Sequence, residues 1–297
     1  MVFLYIATAV AALAIAAFIL KRKNLCGCTK TPLPLMVPDW EKDHIYMVQY
    51  NRISAIPQIS PWSLKLETWL RMSGLPFTNV SNAFARFSSK GQVPFIELNG
   101  KEIADSNFII KRLKEQFQTP MDIGTNEEVA KGSVISALAE DKLATSIFAL
   151  RVNDTSFMVS ELTRHFETGI KKDVKLFFFK RSLKNRLYTM SMANGIRRHS
   201  DDEITEVVRD GFKTLSILLG DKPYFMGDKP GTADATVFGC LAAYVYCPTP
   251  NGILKDHVKN DLKNLYGFFE RVKATYWPDW EEACRTRDMN THKKYKK

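Results

Sequence analysis

Gln92-Val93-Pro94-Phe95-Ile96-Glu97-Leu98-Asn99-Gly100-Lys101-Glu102-Ile103-Ala104-Asp105-Ser106 is the stretch on which the fold turns. Residues 93–98 are rich in β-formers, Asn99-Gly100 is the dipeptide of a tight hairpin, and 101–104 return antiparallel to the first run. Asp105 and Ser106 are helix-start residues, and Ile109, Ile110, Leu113 and Phe117 share the face of the helix that follows. Upstream, residues 44–50 read as a strand and 51–59 as a loop. Trp62, Leu66, Trp69 and Leu70 then recur at helical spacing, and 77–80 form a second strand after Gly74. Ser60 is placed to cap that first helix, with Pro61 in its opening turn, where a missing N–H costs nothing. The order is β-α-β, then β-β-α.

From about Glu127 onward the signals are helical. Ile204, Val207, Val208, Leu215, Leu218 and Leu219 keep one face up to Gly220, and Val237, Phe238, Leu241, Tyr244 and Val245 repeat the pattern. Leu262, Leu265, Tyr266, Phe269 and Val272 repeat it again. In Gly231-Thr232-Ala233-Asp234, a hydroxyl and a carboxylate stand at the head of a buried helix, where each can satisfy unpaired amides. Residues 170–199 are basic and aromatic, with Phe177-Phe178-Phe179-Lys180-Arg181 at their centre. The segment reads first as a core helix whose rings point inward and whose bases are solvated; the alternative is a face laid on lipid headgroups.

The 297-residue chain is 45% hydrophobic and carries a formal charge of +10. This composition excludes a wholly disordered chain, and the charge favours anionic neighbours. No nucleic-acid recognition motif accompanies that charge. Five cysteines, Cys26, Cys28, Cys240, Cys247 and Cys284, are odd in number and not spaced for zinc, and the histidines form no ligand pairs. Neither a disulfide scaffold nor a metal site is expected. Residues 2–20 carry no charge and would span roughly 28 Å as a helix, close to the thickness of a bilayer core. Lys21-Arg22-Lys23 follows that run, which favours a single-pass anchor with a cytosolic body over a cleaved signal peptide. Cys26 and Cys28 then read as exposed linker thiols, as lipidation sites or as soft-metal ligands, though two thiolates alone make a poor cage.

The strand order, the Val-Pro step at the head of the third strand and the Asp-Ser helix start resemble the thioredoxin-like half of glutathione S-transferases. The resemblance implies a cis peptide at Val93–Pro94, so that Val93 pairs with the cysteinyl backbone of glutathione. It also implies a γ-glutamyl grip by Asp105 and Ser106. Ser60-Pro61-Trp62-Ser63 looks like a redox Cys-Pro-aromatic-Cys segment with both sulfurs replaced by hydroxyls, so disulfide chemistry is not expected. Ser60 could instead donate to a glutathione thiol, helped by the helix dipole, or serve only as a cap. Thr232 and Asp234 stand two apart where transferases commonly have three. That spacing, with Tyr224-Phe225-Met226-Gly227-Asp228-Lys229-Pro230 and the run 92–100, resembles the failed axon connections and metaxin branch of the fold, and the apolar N-terminus is similar to that of the nematode cadmium-responsive membrane proteins.

The expected organisation is an anchor with its basic flank over 1–24, a linker over 25–43, a thioredoxin-like α/β domain over 44–120, an all-α transferase-like domain over 125–282, and a basic tail over 283–297. The resemblance implies a membrane-anchored, transferase-like protein of cadmium stress response that acts by binding more than by turnover. Its candidate site residues are Ser60, Val93, Pro94, Asp105 and Ser106. Glutathione is the implied ligand, membrane lipid the partner of the N-terminal helix, and a homodimer or a protein partner a further expectation. The implied location is the lysosomal membrane, with the mitochondrial outer membrane as the alternative. An active glutathione transferase using Ser60 is the second reading. Direct sequestration of cadmium fails on the number of thiols.

Overall fold

The computed structural model describes residues 33–84, 86–164, 170–249 and 252–295. The anchor assigned to 2–20, the basic cluster and Cys26 and Cys28 lie outside them. No helix among the described residues is long and apolar enough to cross a membrane.

The first domain is built on strands β1 (Ile45–Gln49), β2 (Phe77–Ser81), β3 (Phe95–Leu98) and β4 (Lys101–Ala104), in the order β2-β1-β3-β4. β1 runs parallel to β2 and antiparallel to β3, and β3 runs antiparallel to β4. Asn99 and Gly100 both take positive φ, the requirement of the two-residue turn that their sequence announces. Helices α1 (Pro61–Ser73) and α2 (Ser106–Phe117) pack on the sheet, and Leu66, Trp69, Leu70, Ile109, Ile110 and Leu113 close over Ile45, Met47 and Ile96.

The second domain is helical: α3 (Asn126–Ala137), a π-helical segment (Leu138–Ala144), α4 (Thr145–Arg151), α5 (Ser156–Leu162), α6 (Ile170–Asn194), α7 (Asp201–Leu219), α8 (Thr232–Val245), the short α9 (Ile253–Asp256), α10 (Lys263–Tyr276) and α11 (Trp280–Thr286). Every residue of α8 after Thr232 is buried, and α8 lies directly against α1. Asp234 reaches back from its first turn to accept from the Gly231 and Phe225 amides at 2.7 and 2.8 Å. Burial pushes its carboxyl up to about 7 against those hydrogen bonds. The Thr232 hydroxyl, expected to satisfy an amide, instead donates to Asp122, whose other oxygen accepts from the Thr232 amide.

Two expectations change. Helix α6 does not turn its aromatic run inward: Phe177 and Phe178 are each 64% exposed, and only Phe179 packs against the core. Three consecutive residues on a helix span about 200°, so one packed stripe cannot hold all three. Residues 283–295, expected as a basic tail, are structured: α11 runs on to Thr286, and Met289, Asn290 and His292 lie against the first domain. The His292 ring stacks on Phe77 with centroids 4.2 Å apart, and Thr291 donates to Asp279. The Asn290 side chain accepts from the Asn79 amide at 2.7 Å and donates to the Asn79 carbonyl at 3.0 Å, pairing like one residue of a strand along the open edge of β2.

A buried ionic cluster fastens this segment. Arg52 forks onto Glu67 at 2.6 and 2.7 Å and donates to the Met289 carbonyl at 2.8 Å, while Arg71 pairs with Glu67 and Asp279 and lies over the Trp277 ring. Burial alone would raise the Glu67 carboxyl, but the guanidinium groups of Arg52 and Arg71 override it and hold that carboxyl far below its ordinary range.

Candidate functional site

The strand register gathers the candidate residues at one end of the sheet. Val48 pairs with Phe95 and Phe95 with Ala104, so the residues just past these pairs, Tyr50, Val93, Pro94, Asp105 and Ser106, all leave the sheet at the same end. The Val93–Pro94 peptide bond is cis. The loop after β1 is held by buried Gln58, whose amide donates to Gln49 and to the Tyr50 carbonyl while its oxygen accepts from the Ile59 amide. That brace delivers Ser60 to the head of α1. There its hydroxyl accepts from the Ser63 amide at 3.4 Å, the geometry of an N-cap.

Ser60 and Val93 open into one cavity of about 320 Å³. The first domain contributes Tyr50, Ser60, Trp62, Phe84, Phe87, Gln92 and Val93 to its wall, and the second contributes residues of α4, α5 and α6. The lining is mainly apolar and aromatic. Tyr50 stacks on Phe84 at 5.1 Å, Phe84 meets Phe179 edge-on, and Trp62 stacks on Phe148. Arg186 of α6 is the one charged side chain among the described lining residues; it donates to Gln92 at 2.6 Å and lies over the Phe87 ring. Burial holds the Tyr50 phenol above its ordinary range, and Arg186 pulls it part of the way back. The cavity lining therefore offers neutral hydroxyl groups and one cation among its aromatic rings. Ser60 also brings the N-terminus of α1 to this wall, where a developing thiolate is favoured.

Asp105 and Ser106 do not line this cavity. Asp105 caps α2, accepting from the Asn107 and Phe108 amides at 3.0 and 3.2 Å, and its carboxylate is exposed. Its φ of 83° is a backbone conformation costing roughly 1–3 kcal/mol in a non-glycine residue, held here by the hairpin before it and the helix after it. Ser106 is buried. Asn107 is tied into the second domain through Glu140, which also pairs with buried Lys65 at 2.8 Å. No cluster of metal-ligating side chains occurs among the described residues.

Tyr50 is the site residue that sequence reading passed over, because it closes a strand that periodicity already explains. The signal that finds it is register: with the third strand antiparallel to the first, Tyr50 leaves the sheet at the same end as Val93. Gln92 and Arg186 have no such signal, since their contact joins residues 94 positions apart.

Against known proteins, the family model described as the glutathione S-transferase N-terminal domain matches residues 61–157, and that of the glutathione S-transferase C-terminal domain matches 208–272. The chain is 36% identical over 263 residues to Failed axon connections of Drosophila melanogaster, covering 86% of this chain and 63% of that protein. It is 25% identical over 237 residues to human metaxin-1, covering 77% of this chain and 50% of that protein. It thus spans less than two thirds of either relative. Among solved structures, the β-etherase LigF from Sphingobium sp. superposes with a TM-score of 0.59 at 16% identity, over 82% of this chain and 99% of that one, a likeness of fold. The chain is a two-domain protein of glutathione S-transferase architecture, joining the N-terminal thioredoxin-like domain of that fold to its helical C-terminal domain, with failed axon connections and metaxin proteins among its relatives.

Proposed function

We propose that this protein is a membrane-anchored, transferase-like binding protein that holds glutathione at the end of the sheet where Ser60 and Val93 meet. Val93 pairs with the cysteinyl backbone and Asp105 with Ser106 grips the γ-glutamyl end. The carrying observation is the cavity shared by the two domains, lined by Ser60, Val93 and Tyr50 together with aromatic rings. Binding is favoured over turnover because no carboxylate, imidazole or amine among the described lining residues can take the thiol proton. Activation would rest on hydrogen bonds from Ser60 and Tyr50, the α1 dipole and Arg186. The uncharged run 2–20 supplies the anchor. By resemblance to the nematode cadmium-responsive proteins, the setting is cadmium stress at the lysosomal membrane, with the mitochondrial outer membrane as the alternative site and a homodimer as the working assembly.

The second reading is a glutathione transferase in which Ser60 polarises the thiol, favoured by the opening of Ser60 and Tyr50 into the same cavity. The full chain in detergent, passed over immobilised glutathione and assayed for conjugation to an aromatic electrophile, separates the two. Retention with little turnover is the expected result. Turnover that falls by roughly 10²-fold in Ser60→Ala would establish the enzyme instead. Neither retention nor turnover would remove glutathione from the account.

A further inference from the structure

Helix α6 has two faces of different chemistry. Leu183, Leu187 and Met190 wall the cavity. On the opposite side, Val174, Phe177, Phe178, Arg181, Lys184 and Tyr188 fall within an arc of about 120° at 100° per residue. All six are exposed, Phe177 and Phe178 most among the apolar ones, and the two phenyl rings meet edge-on at 5.6 Å. Over the whole helix seven Lys and Arg residues face one acid, Asp173, which lies off this arc.

We propose that this outer face of α6 docks on an anionic lipid bilayer. Exposed phenyl rings interleaved with bases are what a helix lying in a membrane surface requires: the rings enter the boundary between headgroups and acyl chains, and Arg181 and Lys184 meet lipid phosphates. A second copy of the chain fits the face poorly, because apposed α6 helices would bring Arg181 and Lys184 against each other with no acid on the arc to offset them. The inference rests on α6 alone and is independent of the anchor proposed at 2–20.

The test uses the full chain mixed with vesicles of phosphatidylcholine alone or of phosphatidylcholine containing phosphatidylserine, with Phe177→Trp as reporter and the unsubstituted protein as background. With phosphatidylserine the added indole should shift its emission to the blue and be quenched by brominated acyl chains, and high salt should reverse both effects. Arg181→Glu with Lys184→Glu should weaken the quenching roughly tenfold or more, because each base near such a surface adds to binding. Phe178→Trp gives an independent reporter on the same arc, and unchanged melting temperatures check that the variants are folded. Equal emission in both vesicle types would overturn the proposal. So would a shift that follows protein concentration instead of lipid charge, which would mean self-association. Sedimentation with phosphatidylcholine vesicles alone reports on the anchor, so failure of that reading leaves the comparison between vesicle types intact.

Discussion

Gly239 sits so close to Pro61 that a Cβ at position 239 would stand 2.6 Å from the Pro61 carbonyl oxygen and 2.9 Å from the Lys65 amide nitrogen. The two domains therefore meet backbone to backbone, α8 against the first turns of α1, and the side chain that would separate them is a hydrogen. Gly239→Ala should cost about 3 kcal/mol, the upper end for an added methyl, because the obstructing atoms are backbone and cannot rotate away. Urea unfolding of the variant checks this; a loss below about 0.5 kcal/mol would mean that the helices can part without penalty.

Asp234→Ala should destabilise by about 2 kcal/mol, since it leaves the buried Phe225 and Gly231 amides without an acceptor while relieving the cost of a buried carboxyl. Asp234→Asn keeps one amide oxygen and should lose less. Equal melting temperatures for all three proteins would show that the α8 start does not depend on this residue.

His292 gives a pH dependence with a definite sign. Burial lowers its imidazole from 6.5 to about 4, against the pull of Glu67, so the folded protein binds this proton more weakly than the unfolded chain. Its contribution is full above pH 6.5 and is lost as the pH falls through 4, a total on the order of 3 kcal/mol from the size of that shift. His292→Phe keeps a ring against Phe77 but cannot titrate, so its stability should be flatter over this window. An identical slope in the variant would assign the acid sensitivity to other groups, with Glu67 acting only below its ordinary range.

Ser60→Ala and Tyr50→Phe should separate capping from ligand binding. The first removes the N-cap of α1 and should cost about 1 kcal/mol whether or not glutathione binds. The second removes only a hydroxyl at the cavity wall, which has no hydrogen-bond partner among the described residues, and should leave stability within about 0.5 kcal/mol. A fall in glutathione affinity in Tyr50→Phe, measured by calorimetry, would place the phenol against the ligand. Unchanged affinity in both variants would move the thiol away from this end of the cavity.

Much of this architecture is legible locally. Asn99-Gly100 specifies its own turn, Ser60-Pro61 and Asp105-Ser106 mark their helix starts, and the strands about Val93 carry enough β-formers to be read alone. What is not legible depends on distant partners. Asp122 serves Thr232 from 110 positions away, and nothing near Thr232 announces it. The helical period of α6 shows that Phe177, Phe178 and Phe179 diverge, but only the packing of α6 against Phe84 shows which ring turns in. His292 lies beside Lys293 and Lys294 and reads as tail, because the Phe77 ring that receives it comes from a strand 215 residues earlier.

The pairing of Asn290 with Asn79, and of the Met289 carbonyl with Arg52 and the Asn79 side chain, bears on how the chain is made. Synthesis runs from the N-terminus, so β2 and the Arg52 guanidinium exist long before residues 289–292 leave the ribosome. Until then the sheet has a bare edge open to strand addition by a neighbouring nascent chain, and a buried cation lacks one of its acceptors. The first domain thus depends on a residue made 211 positions after Asn79 to finish its own edge, and a chain cut short after α10 would carry both domains with that edge still exposed.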